Sequence, residues 1–354
     1  MDMRGLVLFA AMAIASLTPR AHAREELSDM TDVLREQKVE SVSVALIRGG
    51  RLVARAAWGM AAPDRPATPD TTYNLASLTK PLTAEIILRL ASAGKLSLDE
   101  PMDRYWSDPD LSDDPRRLML TPRLALSHRT GFPNWRAESG LAFERDPGGA
   151  WGYSGEGYQY AARFTERRTG KPFAALAERW LFRPVGMRHS GYVSAQGAPA
   201  PRALPHDDAG APLPDHAVTR YNAADLAHAT APDYALFLID VMKNRRVAPS
   251  IAAERVTLQA DMRDVVCAGA KAAGCPPWVG FGLGWQLLGF PDGTVMMHTG
   301  KDPGFFSFAA IDRASGNGIV ILTNSDNGWR TILPVLERTG ADPALVRFLR
   351  AQID

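Results

Sequence analysis

The chain runs to 354 residues, 46% of them hydrophobic and 22% charged, an ordinary globular composition without internal repeats or low-complexity segments. Its 40 Lys and Arg nearly balance 39 Asp and Glu, and no basic stripe appears, which removes the electrostatic case for nucleic acid. The length exceeds what one small core supports, so one large domain or two lobes are expected.

The first residues carry the pattern of a secretory signal: Arg4, an apolar run from Gly5 to Leu17, and the small-residue site Ala21-His22-Ala23. Cleavage after Ala23 predicts a signal peptide over 1–23 and a periplasmic or secreted domain over 24–354. The apolar run is too short to span a bilayer, and no later segment reaches the ~20 apolar residues needed, so no transmembrane segment is expected. Helical spacing follows from Leu27 to Lys38. From Ser41 to Ile47 the chain alternates Val42, Val44 and Leu46 against Ser41, Ser43 and Ala45, a strand signal, and Gly49-Gly50 turns it into a second strand over Leu52 to Trp58. From Ser77 the period becomes helical, with Leu78, Leu82, Ile86 and Leu90 four apart, ending near Gly94. Pro81 sits in the first turn, where its missing N–H costs least.

The middle is broken by proline and tryptophan turns, with helical stretches over Tyr158 to Arg168 and Ala174 to Trp180. Strands return over Phe281 to Leu288, Val295 to Thr299, Phe305 to Ile311 and Ile319 to Thr323, and a last helix is expected over Trp329 to Gln352. Strands at both ends with helices between predict an α/β (α+β) fold. Its antiparallel sheet is formed by N- and C-terminal strands flanked by helices, with an inserted mainly helical lobe. The α/β lobe is placed at about 24–97 and 245–354, the helical lobe at about 98–244. The only cysteines, Cys267 and Cys275, are eight apart in a Gly- and Ala-rich stretch, and in an oxidising compartment they are expected to form a disulfide.

Three short motifs carry chemistry: Ser77-Leu78-Thr79-Lys80, Tyr153-Ser154-Gly155 and His298-Thr299-Gly300. A serine hydroxyl is a poor nucleophile at neutral pH and needs a proton acceptor within hydrogen-bond reach. On a helix, residues three apart share a face, so Lys80 can point its amine at Ser77. Lys80 or Tyr153 would take the proton, but neither works at its ordinary pKa, so burial or a neighbouring charge must shift one of them.

The ordered triple resembles the active-site elements of the serine β-lactamase and penicillin-binding protein superfamily. The flanking runs Leu126 to Pro133 and His298 to Phe305 resemble its class C β-lactamase, esterase and D-peptidase branch. The resemblance covers about Val39 to the C-terminus. It implies the β-lactamase/transpeptidase-like fold, an acyl-enzyme on Ser77, and an oxyanion hole from the backbone N–H groups of Ser77 and Lys301. Substrate contacts then fall to His298, Thr299, Gly300 and Gly155. His298 stands where many β-lactamases have lysine, and with an ordinary histidine pKa it would lend charge to anionic substrates only at low pH. Gly155 stands where the family's Tyr-x-Asn has its amide-clamping asparagine, which argues against β-lactams more than against acyl transfer. Glu156 could supply a polar group in its place.

The expected protein is therefore a secreted serine hydrolase, a carboxylesterase first, acting on a small-molecule ester or amide without metal or organic cofactor. A D-amino-acid peptidase, a weak β-lactamase, or a penicillin-recognising scaffold protein without turnover are the alternatives. His128, His189, His206, His216 and His228 lack metal-ligand spacing and read as ordinary hydrogen-bonding residues. Trp135, Trp151, Trp278 and Trp285 read as core or cleft wall. The oligomeric state is not legible.

Overall fold

Strands near the two ends of the chain meet in the middle of one sheet. The computed structural model describes residues 27–192, 201–215 and 220–353. The signal segment expected at 1–23 and His216 lie outside the described residues. Strands β1 (Ser41–Arg48), β2 (Arg51–Ala62), β3 (Arg65–Pro66), β6 (Ala260–Asp261), β7 (Trp278–Phe281), β8 (Gln286–Phe290), β9 (Gly293–Asp302), β10 (Phe305–Asp312) and β11 (Asn317–Thr323) pair in the order β3-β2-β1-β11-β10-β9-β8-β7-β6. Every pairing is antiparallel, with β1 against β11 in the register Val44↔Ile321 and Leu46↔Ile319. A small second sheet joins β4 (Tyr73–Asn74) to β5 (His228–Ala229).

The central strands are apolar on both faces because both are covered. Val42, Val44, Leu46, Phe308, Ile319 and Ile321 enter one buried cluster with α1 (Thr31–Gln37), α6 (Ile332–Arg338) and α7 (Pro343–Ile353). Ala45, Ile47, Ala309, Ile311, Val320 and Leu322 enter the other, with α2 (Thr79–Ser92), α3 (Gly155–Thr169) and α4 (Ala231–Met242). Such two-sided burial explains why β1 is buried almost throughout rather than facing water with its serines.

Several expected boundaries shift, each for a local reason. Phe281 to Leu288 is two strands, since Gly282-Leu283-Gly284 turns the chain back between β7 and β8. The last helix is broken, since Gly340 and Pro343 end α6 and start α7. Helix α3 starts at Gly155, three residues before Tyr158, because Ser154 caps it by accepting the Gly157 N–H at 3.0 Å. Its glycines had hidden that first turn. Cys267 and Cys275 are joined in a disulfide, and the 3-10 turn between them (Gly269–Gly274) packs on α7. Among the described residues no helix is long and apolar enough to cross a membrane.

Candidate active site

Ser77 lies on a 3-10 turn, Ala76–Leu78, that leads from β4 into α2. Ala76 just before it has φ 47°, a left-handed conformation costing a residue with a Cβ roughly 1–2 kcal/mol. Surrounding groups hold it there. Asn74 Oδ1 accepts the Ala76 N–H at 2.9 Å, Ser307 on β10 donates to the Leu75 carbonyl at 2.6 Å, and Tyr234 on α4 donates to the Leu78 carbonyl at 2.9 Å. His128 (φ 57°) and Leu226 (φ 64°) are also left-handed and flank the same site, where such strain tends to collect.

Lys80 Nζ lies 2.8 Å from Ser77 Oγ and donates to the Ala224 carbonyl at 2.9 Å. The side chain is fully buried. Burial disfavours the ammonium and lowers Lys80 to about 7, against the opposing pull of Asp225 and Asp302. Those two carboxyl groups are hydrogen-bonded to each other, and Asp302 also accepts from Asn74 Nδ2 at 2.9 Å. Burial, then the neighbouring Asp302, raises Asp225 to about 7, and burial raises Asp302 as well, so the pair holds a proton between them well above the ordinary carboxylate range.

Tyr153 is hydrogen-bonded to Ser77, and its ring centre lies 4.7 Å from Lys80 Nζ. Burial pushes its phenol well above the ordinary value, so it is neutral at pH 7. Behind it lies His128, its ring tilted 34° to that of Tyr153 with the ring centres 4.4 Å apart. His128 Nδ1 accepts the Ser154 N–H at 3.0 Å, which leaves the proton of the neutral ring on Nε2. His298 has the opposite tautomer, since its Nδ1 lies 2.6 Å from the Thr299 carbonyl and must donate to it. Both rings are buried, and both Nε2 atoms lack a hydrogen-bond partner among the described residues.

The expectation that His298 titrates near neutrality is corrected. Burial first, then the charge of Lys80, lowers it to about 3, so it is a neutral imidazole over the whole working range. Glu156 is corrected too. Its carboxylate is held by Arg136 Nη2 at 2.8 Å and Nε at 3.2 Å, and accepts the Arg136 N–H at 3.2 Å, so it serves that ion pair and does not replace the missing asparagine. Gly155 presents no side chain, and a Cβ there would come within 2.6–3.0 Å of three Trp135 ring atoms.

The third motif reaches the serine because of a glycine. A Cβ on Gly300 would stand 2.3 Å from the Leu75 carbonyl and 2.8 Å from the Leu78 N, so only a bare backbone lets β9 lie against the serine turn. Strand β8 pairs with β9 only as far as Met297, so among the described residues β9 has its strand partner from His298 to Asp302 on the β10 side alone. Thr299 and Lys301 are exposed along that stretch. The fold thus gathers Ser77, Lys80, Tyr153, His298, Thr299, Gly300, Lys301 and Gly155 around one turn. Asp225, Asp302, His128 and Trp135 join them, Trp135 as a wall of the cleft and His128 as a hydrogen-bonding residue, as their sequence reading had it. Asp302 and His128 stood inside the runs flanking the motifs, whereas Asp225 had no signal in its local sequence. A hydroxyl touching a desolvated amine that titrates near neutrality can lose its proton at neutral pH.

The family described as Beta-lactamase matches residues 22–332. Esterase EstB of Burkholderia gladioli is 28% identical over 89% of this chain and 95% of its own. The D-alanyl-D-alanine-carboxypeptidase/endopeptidase AmpH of Escherichia coli is 26% identical over 54% of this chain and 57% of its own. A solved class C beta-lactamase shares the fold with a TM-score of 0.73 at 17% identity, covering 93% of this chain and 98% of that one. Since the family match takes in nearly every element described above, from α1 to the start of α6, the chain belongs to the β-lactamase family.

Proposed function

We propose that the chain is a serine hydrolase that forms an acyl-enzyme on Ser77, with a carboxylic ester as its substrate. Neutral Lys80 takes the hydroxyl proton as Ser77 Oγ bonds to the carbonyl carbon. The backbone N–H groups of Ser77 and Lys301 hold the oxyanion, and losing one such donor typically costs about 2.7–4 kcal/mol of barrier. As the tetrahedral intermediate collapses, the C–O bond breaks and the departing alkoxide takes a proton from Lys80, directly or through the Tyr153 hydroxyl. A water then attacks the acyl group, its proton passing back along the same groups. Ser77 is regenerated, and the acid leaves. The observation that carries the reading is Lys80 Nζ at 2.8 Å from Ser77 Oγ, in a burial that brings its pKa to about 7.

Support for an ester over an amide comes from position 155, which offers no side chain to an amide, while Glu156 is tied to Arg136. The near full-length likeness to an esterase agrees with it. A D-amino-acid peptidase, favoured by the likeness to AmpH, is the second reading. We place the protein in the periplasm or outside the cell, on the signal pattern at 1–23 and the Cys267–Cys275 disulfide.

The test is initial rates on p-nitrophenyl butyrate and nitrocefin, with intact-mass spectrometry, for wild type and Ser77→Ala. Ester turnover lost in Ser77→Ala, with little nitrocefin hydrolysis, is the expected result. A stable lactam adduct with little turnover of either compound would instead make it a penicillin-recognising protein. Undiminished ester turnover in Ser77→Ala would move the nucleophile elsewhere.

A further inference from the structure

Trp135 is 41% exposed, yet the chain on either side of it is firmly held. Asn134 accepts the Gly155 N–H through its backbone and side-chain oxygens, both at 3.0 Å, and its backbone oxygen also accepts the Glu156 N–H at 3.0 Å. Arg136 is ion-paired with Glu156 at 2.8 Å, Asp108 at 2.9 Å and Asp110 at 3.3 Å. A large side chain left in water at the end of such a brace invites a reason, because burying it would have stabilised the fold. Its position supplies one. The six-membered part of the indole lies on Gly155, and the ring centre is 5.8 Å from Lys80 Nζ.

We infer that Trp135 is a specificity-determining residue whose exposed indole stacks on an aromatic ring of the substrate. The inference rests on the esterase reading above and names its substrate class, esters that carry an aromatic ring in the acyl or the alcohol part. The alternative, that Trp135 merely covers the start of α3, leaves its exposure unexplained. A pre-positioned ring gives up little freedom when it stacks, and an aromatic pair is favoured over equal apolar burial by roughly 2- to 10-fold in affinity.

The experiment compares kcat/KM for two matched pairs: methyl phenylacetate with methyl cyclohexylacetate, and benzyl acetate with cyclohexylmethyl acetate. Wild type, Ser77→Ala, Trp135→Phe and Trp135→Leu are assayed, with circular dichroism on each. In Trp135→Leu the aromatic member of one pair is expected to lose about 3- to 10-fold relative to its saturated partner, mainly through KM. Trp135→Phe keeps the preference. The pair that responds identifies the acyl or the alcohol side. An aromatic-to-saturated ratio unchanged by Trp135→Leu, with Ser77-dependent ester hydrolysis intact, overturns this inference alone. Absence of Ser77-dependent hydrolysis of any of the four esters overturns the esterase reading and this inference together. Should Trp135→Leu not fold, product inhibition of the wild type decides. Phenylacetate or benzyl alcohol inhibiting several-fold more tightly than its cyclohexyl counterpart supports the subsite, and equal inhibition overturns it.

Discussion

Lys80 is useful as a base only in its neutral form, and the sign of the pH dependence follows. As pH rises through about 7 the ammonium gives up its proton, so kcat/KM for a neutral ester should climb with pH and level off above that point. His298, lowered to about 3, contributes no limb to that profile at neutral pH, and His298→Asn should leave the position of the ascending limb unchanged even if the rate falls. Asp225, itself raised to about 7, pulls Lys80 upward once it ionises, so removing it should let the amine lose its proton more easily at and above neutral pH. In Asp225→Asn the ascending limb should move to lower pH. An amide oxygen can still accept the Leu226 N–H that Asp225 holds at 3.0 Å, which keeps the local turn intact. An ascending limb that stays in place, or moves up, would mean that Asp225 does not set the charge of Lys80. Measuring the profile with a substrate free of titratable groups keeps the reading on the enzyme.

At the level of elements, β9 and the serine turn approach so closely that one methyl group separates a working site from a distorted one. Gly300→Ala puts a Cβ 2.3 Å from the Leu75 carbonyl and 2.4 Å from Ser307 Oγ, so the strand or the turn must yield. A displacement of about 1 Å at reacting groups costs on the order of 100-fold in rate, and kcat/KM of this variant should fall by at least about 10-fold while its far-ultraviolet circular dichroism stays native. The disulfide loop should behave oppositely. It packs on α7, and none of the site residues named above belongs to it. Replacing Cys267 and Cys275 by serine should lower stability by about 2 kcal/mol in urea denaturation and leave ester turnover near wild type. This contrast between elements also explains what could be read in advance. Strands β1, β10 and β11 were legible because their neighbours in sequence are their neighbours in space or carry an unbroken apolar period. The break between β7 and β8 was not, because Phe281 to Leu288 continues an apolar run while Gly282 and Gly284 reverse the chain. In the site, Ser77, Lys80, Tyr153 and His298 were legible as spaced motifs. Asp225 was not, since its only qualification is that folding buries it beside Lys80 and Asp302, and Trp135 stood out only once Gly155 was found beneath it.

Across the whole molecule, the helix that carries Lys80 is fixed to the rest by charge as well as by apolar burial. Glu85 and Arg89, one turn apart on α2, reach Arg255 at the end of α5 (Pro249–Arg255) at 2.9 Å and Asp240 on α4 at 2.6 Å. Glu85 and Arg255 are wholly buried, and Arg255 also donates to the Val241 carbonyl at 3.0 Å. Such a pair is a weak source of stability but a strong source of fragility. Both charges were taken out of water at a cost that their attraction roughly offsets, so removing one partner strands the other. Arg255→Leu should therefore cost about 3–5 kcal/mol in urea denaturation. If the loss comes from the stranded Glu85 carboxylate, then Glu85→Leu with Arg255→Leu should recover most of it, because an apolar pair of similar shape leaves no buried charge behind. Activity should separate the two roles. The double variant, stable again but without the directional tie between α2 and α5, is expected to turn over esters more slowly than wild type, since α2 also positions Lys80 against Ser77. Equal stability losses in the single and double variants would show that the pair was stabilising on its own account. Full wild-type turnover in the double variant would show that apolar packing alone fixes α2.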